Sequence, residues 1–164
     1  MTSRESAWAL AWKLWVVALA IAPPGAAQVE KVAMRTTGIS CGICAGLSEI
    51  YFRRVPGVDQ VKISLSKEAI MLTYKPGSSF DPAGIRKILE PLQVGVTQFQ
   101  ISARGRVQEQ GGKQIFLAGK DKFEVLYAID SPSVPLDTPV LIEAILFDKV
   151  TPMQVKVLNV KPVK

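Results

Sequence analysis

The sequence predicts an α+β fold, a β-α-β-β-α-β unit followed by a small all-β unit, on the strength of three observations. Apolar residues recur at helical spacing in only two stretches, 44–54 and 81–92. Around them the alternation has the period of half-buried strands. From Gly105 onward every periodic segment is strand-like and punctuated by glycine or proline.

Lys31 to Thr37 opens the first unit as a strand with Val32 and Met34 on one face. In Cys44 to Arg54, Leu47, Ile50 and Tyr51 stand at helical spacing and are expected to bury one helix face against a sheet. Val55-Pro56-Gly57 ends that helix. Val61, Ile63 and Leu65 then alternate with Gln60, Lys62 and Ser64, Ser66-Lys67 turns the chain, and Glu68 to Tyr74 returns as a strand. Asp81 can cap a second helix, with Pro82 at its first position and Ile85, Ile88, Leu89 and Leu92 as its apolar face. Pro91 and Gly95 end it, and Val96 to Ala103 supplies the last strand. This order folds into a four-stranded antiparallel sheet with both helices on one face.

Beyond it, Arg106 to Gln110 and Lys113 to Ala118 flank Gly111-Gly112 as a hairpin, and Lys122 to Ala128, Val140 to Phe147 and Gln154 to Val160 add three strands. Five strands in this length fit a small barrel. Phe116, Phe123, Tyr127 and Phe147 alternate with polar residues, which favours core positions over a binding platform. The division is then residues 1–27, 28–104 and 105–164. Ile101 to Glu109 either runs as one extended segment across the second boundary or hinges at Gly105.

Residues 1–27 read as an export signal: Arg4 and Lys13 are basic, Leu14 to Ala22 is a short apolar core, and Gly25-Ala26-Ala27 offers a small-residue cleavage site. The protein is therefore expected outside the cytoplasm, periplasmic or secreted, with no stable membrane span after cleavage. The alternative is an uncleaved anchor lengthened by Trp8 to Trp12. Removing Arg4, Glu5 and Lys13 takes the formal charge from +6 to +5. The basic residues are dispersed, without the arginine clusters or aromatic interleaving of a nucleic-acid surface, so no nucleic-acid partner is expected.

The chain has two cysteines, Cys41 and Cys44, and no histidine. They lie three apart between a strand and a helix, where Gly38 and Gly42 permit a sharp turn. A helix starting near Cys44 directs free N–H groups toward the sulfurs and favours thiolates, the ligands that select Cu(I) and other soft ions. A structural disulfide would close too short a loop to remove much chain entropy. Zinc would want four ligands, and Asp59 or Glu49 is more simply a solvated carboxylate.

Gly38, Ser40, Cys41 and Cys44, followed by Val55-Pro56-Gly57-Val58, resemble the heavy-metal-associated domain family, the small ferredoxin-like modules of copper chaperones, metal-pump N-terminal domains and periplasmic mercury-binding proteins. The resemblance runs from about Glu30 to Ala103. It implies a ferredoxin-like fold, one soft ion held by Cys41 and Cys44, Cu(I) first and Hg(II) next, and a metal donor or acceptor protein as partner. It also implies loop-shaping roles for Gly38, Ile39, Ser40 and Gly42. Ile39 stands where the family usually has a methionine that packs under the loop, so the apolar anchor is kept. The strands after Gly105 resemble an oligonucleotide/oligosaccharide-binding (OB-like) barrel.

The resulting expectation is an exported, non-enzymatic metal carrier. Two readings stand beside it. A thiol–disulfide oxidoreductase would also place a reactive cysteine at a helix N-terminus, but the chain lacks a Trp before Cys41 and the strand order differs. An interaction scaffold would give the barrel the main role and leave the cysteine pair unused for metal.

Overall fold

The computed structural model describes residues 27–39 and 41–163. The expected leader, apart from Ala27, and Ser40 lie outside the described residues. The elements are β1 (Gln28–Thr37), α1 (Gly42–Arg53), β2 (Val58–Ser64), β3 (Ala69–Tyr74), α2 (Pro82–Leu89), β4 (Gly95–Gln110), β5 (Lys113–Ala118), β6 (Asp121–Leu126), β7 (Val140–Phe147) and β8 (Gln154–Pro162). A single 3-10 turn, Glu90–Leu92, follows α2.

The first four strands lie in the order β2-β3-β1-β4, all antiparallel, which is the ferredoxin-like arrangement expected of a β-α-β-β-α-β chain. β4 does not stop at the edge of that sheet. On one edge it pairs with β1 from Gly95 to Arg104 and then with β5 from Arg106 to Gln110. On the other it pairs with β7 from Phe99 to Gly105. β5 pairs with β6, β6 runs parallel to β8, and β8 returns to β7, so five strands close a barrel in the order β4-β5-β6-β8-β7.

Gly105 sits inside this continuous strand and is buried. A Cβ there would strike the Leu117 carbonyl and the Phe116 ring, so close packing of β5 accounts for the glycine. Of the two possibilities for this segment, the extended one is observed. The hairpin is also as expected, with Gly111 and Gly112 at positive φ (59° and 76°).

One apolar cluster runs through both parts, from Val32, Met34 and Leu72 under the helices to Phe116, Phe123 and Val155 in the barrel. The face of α1 differs from expectation. Ser48 and Phe52 are buried, with Ala45 packed beside them, while Leu47, Ile50 and Tyr51 are 40%, 48% and 43% exposed. Apolar residues occupy two sides of this helix, and full burial of the Phe52 ring sets which one faces inward. Small residues at 45 and 48 let the helix approach the sheet closely. In the barrel, Phe116 and Phe123 are core as expected, whereas Tyr127 and Phe147 lie on the surface.

Polar bonds fix the helical side of the first unit to the barrel. Arg86 on α2 donates from Nε and Nη2 to the Asp148 carboxylate at 2.7 and 3.0 Å and from Nη1 to the Val96 carbonyl at 2.8 Å. Its guanidinium also lies 5.0 Å from the Phe99 ring centroid. At the other end of the same surface, the buried Asp121 carboxylate accepts the Phe80 N–H at 3.1 Å. Burial pushes the Asp121 carboxyl above its ordinary range, against the pull of the Phe80 hydrogen bond and Lys120. Burial and the Asp121 charge push the Tyr74 phenol upward as well.

Burial opposes ionisation of Asp148, but the hydrogen bonds and charge of Arg86 outweigh it and hold this carboxyl below the usual range. A depressed folded value contributes stability above the ordinary carboxylate pKa of about 4 and loses it as pH falls through the folded value. Asp148→Asn should therefore cost about 1–2 kcal/mol at pH 7. Urea unfolding at neutral and acidic pH checks this: the deficit should shrink toward zero near pH 2, and a pH-independent deficit would contradict the assignment.

Candidate functional site

The cysteine loop leaves β1 at Thr37, which pairs with Gly95 at the start of β4. Gly38 then takes φ 86°, and a Cβ there would lie 2.7 Å from the Gln93 carbonyl oxygen. Only glycine meets both demands without strain. Gln93 is itself left-handed, with φ 55°, and closes the 3-10 turn by donating its N–H to the Glu90 carbonyl at 3.0 Å. Two tight turns thus meet backbone to backbone beneath the loop. Ile39 is fully buried in the core and pins the chain between them.

Cys41 is the N-cap of α1, with extended backbone. Its sulfur accepts the Cys44 N–H at 3.1 Å, in the place where a serine or aspartate oxygen commonly stands. The Cys41 carbonyl accepts the Ala45 N–H at 3.1 Å, the first helical bond. One turn on, the buried Ser48 hydroxyl donates to the Cys44 carbonyl at 2.8 Å, tying the second cysteine to the packed side of the helix. Gly42 needs no special conformation, and a Cβ on it would meet nothing within 4 Å. The sharp turn expected of both glycines belongs to Gly38 alone.

The two sulfurs are paired as a disulfide, with Cα atoms 5.4 Å apart. Cys41 is exposed and Cys44 half-buried. No acidic residue stands in the first turn of α1, so the helix dipole is not cancelled there. Glu49 is committed to Arg53, at 2.7 Å, and Asp59 lies exposed on β2. Among the described residues, no group of three or more His, Cys, Asp or Glu side chains is placed to hold a metal ion. The sulfurs, once reduced, form a two-donor set open to solvent. That set suits a soft ion of low coordination number and not a four-coordinate one.

The sequence did not reveal the surface beside this loop. Ile43, 77% exposed, stands one turn before Leu47 on α1, and Ile50 and Tyr51 continue the line toward a cleft of about 460 Å³ lined by Tyr51, Arg54, Tyr74, Asp81, Ile85 and Ile88. The i, i+4, i+7 spacing marks a helix face, but only the rotation imposed by Phe52 shows that the face is outward.

No protein-family profile matches the chain, and no curated protein matches it. Seventeen solved chains do. A CopZ metallochaperone is 19% identical over 41% of this chain and 98% of its own, with a TM-score of 0.38. The yeast copper transporter domain Ccc2a, solved in apo and Cu(I)-loaded states, is 21% identical over 42% and 94%, at 0.36. A copper-form CopA variant from Bacillus subtilis is 28% identical over 43% and 91%, also at 0.36.

The two loop glycines should separate cleanly on substitution. Gly38→Ala should lose about 1–3 kcal/mol through its positive φ and the Gln93 clash. Gly42→Ala should be neutral or gain up to about 1 kcal/mol from helix propensity. Chemical denaturation of the two variants decides it, and equal losses would contradict the geometry.

Proposed function

We propose that the protein is an exported metal carrier without catalytic activity, in which Cys41 and Cys44, as thiolates, grip one soft ion, Cu(I) first and Hg(II) next. One observation carries this reading: two sulfurs brought together on an exposed helix N-terminus, with no third His, Cys, Asp or Glu ligand beside them among the described residues. The solved chains that resemble this one include copper metallochaperone and copper-transporter domains. The reading nevertheless rests on the donor set of this chain. Transfer would proceed by ligand exchange: a partner thiolate adds to the exposed ion as a third sulfur, after which one original Cys–metal bond dissociates. Gly38 and Ile39 hold the loop for that exchange. Ser40 and Gly42 complete it.

The closed barrel, with its single parallel pair between β6 and β8, supports the OB-like reading of residues 105–164. Its proposed role is to hold the first unit in a fixed attitude toward the donor or acceptor protein. Cleavage of the leader after Ala27 would free the chain outside the cytoplasm, and among the described residues no helix is long and apolar enough to cross a membrane.

The paired sulfurs also favour a second reading, a thiol–disulfide oxidoreductase, because Cys41 is the exposed member at a helix N-terminus. Insulin reduction separates the two: multiple turnovers support the oxidoreductase and stoichiometric exchange supports the carrier.

Fully reduced protein should take up one equivalent of Cu(I) in competition with a chromophoric Cu(I) chelator. The oxidised protein, and the double variant Cys41→Ser with Cys44→Ser, should take up none. Equal uptake by all three forms would reject the thiolate site.

A further inference from the structure

We infer that the open face of the sheet, the side away from the two helices, is a docking surface for a helix of a partner protein, apolar along one stripe and acidic on both flanks. Strand register gathers here basic residues that are dispersed in the sequence. On β1, Val32 and Met34 are buried beneath the helices, so Lys31, Ala33 and Arg35 face the other way. Met71 on β3 and Gln100 on β4 stand opposite Ala33, Lys62 on β2 stands opposite Met71, and Ile145 on β7 stands opposite Gln100. One row of side chains therefore crosses both units.

That row is a shallow groove. Its middle is Ala33, the smallest side chain in it, between Met71, which is 43% exposed, and the half-buried Ile145. A cleft of about 350 Å³ opens there, and its lining includes Lys31, Ala33, Met71, Gln100, Ser102 and Glu143. Lys31 and Arg35 flank Ala33, four residues apart and so about 13 Å from each other along the strand. Among the described residues neither has an ion pair, nor has Lys62 at the end of the groove. The neighbouring acids are already paired, Glu143 with Lys161 at 3.5 Å and Glu30 with Arg104.

Dimensions and charge select the occupant. From Met71 to Ile145 the row crosses four strands, about 14 Å at the usual strand spacing. Three turns of α-helix cover about 16 Å, so apolar side chains on one stripe of a helix meet Met71, Ala33 and Ile145 in turn. The helix body, about 10 Å wide, lies between Lys31 and Arg35, and carboxylates on its two flanks pair with them. A bilayer fits poorly, because the floor at Ala33 lies below the long cationic side chains instead of protruding past them. A nucleic acid lacks stacking partners, since Phe147 at the end of β7 is the one aromatic side chain on this face among the described residues. Both helices, with Cys41 at the start of α1, lie on the other side of the sheet. Docking is thus independent of the carrier reading and leaves Cys41 exposed.

The test titrates the isotope-labelled full chain with a stapled, pre-formed helical peptide that carries leucine and alanine on one stripe and glutamate on both flanks, and with the same peptide carrying lysine for glutamate. Amide NMR should show shifts centred on Ala33, Met71, Gln100 and Ile145, with the α1 amides unmoved. The acidic peptide should bind at least about tenfold tighter, the effect of two or three exposed charge pairs. Lys31→Glu with Arg35→Glu should abolish that preference. Ala33→Arg, which fills the floor without removing a cation, should weaken binding of the acidic peptide about tenfold or more. These positions face solvent, and the amide spectra report whether each variant is folded. Equal affinity for the two peptides, shifts centred on α1, or unchanged binding to the Ala33→Arg chain overturns the inference. So do vesicles of phosphatidylglycerol that bind the chain through Lys31 and Arg35 while the acidic peptide does not.

Discussion

One strand, β4, is the constraint on which the rest of the structure depends. Its sixteen residues span roughly 50 Å and hydrogen-bond along both edges, to β1 and then β5 on one side and to β7 on the other. A ferredoxin-like sheet and a closed barrel therefore share a backbone instead of being joined by a linker. Moving one unit against the other would break ladder bonds at β4 and open a continuous apolar cluster. Few buried backbone groups tolerate that exposure. Gly105, at the crossing point, is small because β5 packs onto it, and the chain there is as regular as any other part of the strand.

Around that strand, charged and polar groups are placed where the two units face each other off the sheet. Arg86 reaches from α2 to Asp148, and Asp121 reaches from β6 to the Phe80 amide. The first pair is stabilising near neutral pH because guanidinium and carboxylate satisfy each other. The second carries a cost, since a buried carboxylate has one amide as its close partner, and its charge adds to burial in pushing the nearby Tyr74 phenol upward. The cysteine loop leaves the end of β1 where β4 begins, beside the Val96 carbonyl that Arg86 also holds, and its geometry is set by local turns at Gly38 and Gln93 and by the anchor of Ile39.

Much of this was legible in the sequence, for identifiable reasons. The strands and both helices follow from periodicity, and Asp81-Pro82, Gly111-Gly112 and Val55-Pro56-Gly57 mark their ends because each residue type has a specific backbone consequence. The cysteine loop was legible as a unit for the same reason. The rotation of α1 was not. Its sequence offers Ile43, Leu47, Ile50 and Tyr51 on one side and Ala45, Ser48 and Phe52 on another, and helix periodicity gives no rule for choosing the smaller face. That choice comes from close approach of helix to sheet, a tertiary property. Nor could spacing reveal that β4 would serve both units, since alternation from Val96 to Gln110 reads equally as one strand or as two.

Metal carriage requires that the Cys41 and Cys44 sulfurs, freed from each other, jointly hold a single soft ion. Copper K-edge X-ray absorption on the reduced full chain, loaded with one equivalent of Cu(I), addresses that directly. The expected first coordination sphere is two sulfurs and nothing else, lost when the protein is reoxidised. A sphere built from nitrogen or oxygen, or copper retained with the Cys41–Cys44 bond intact, would contradict it.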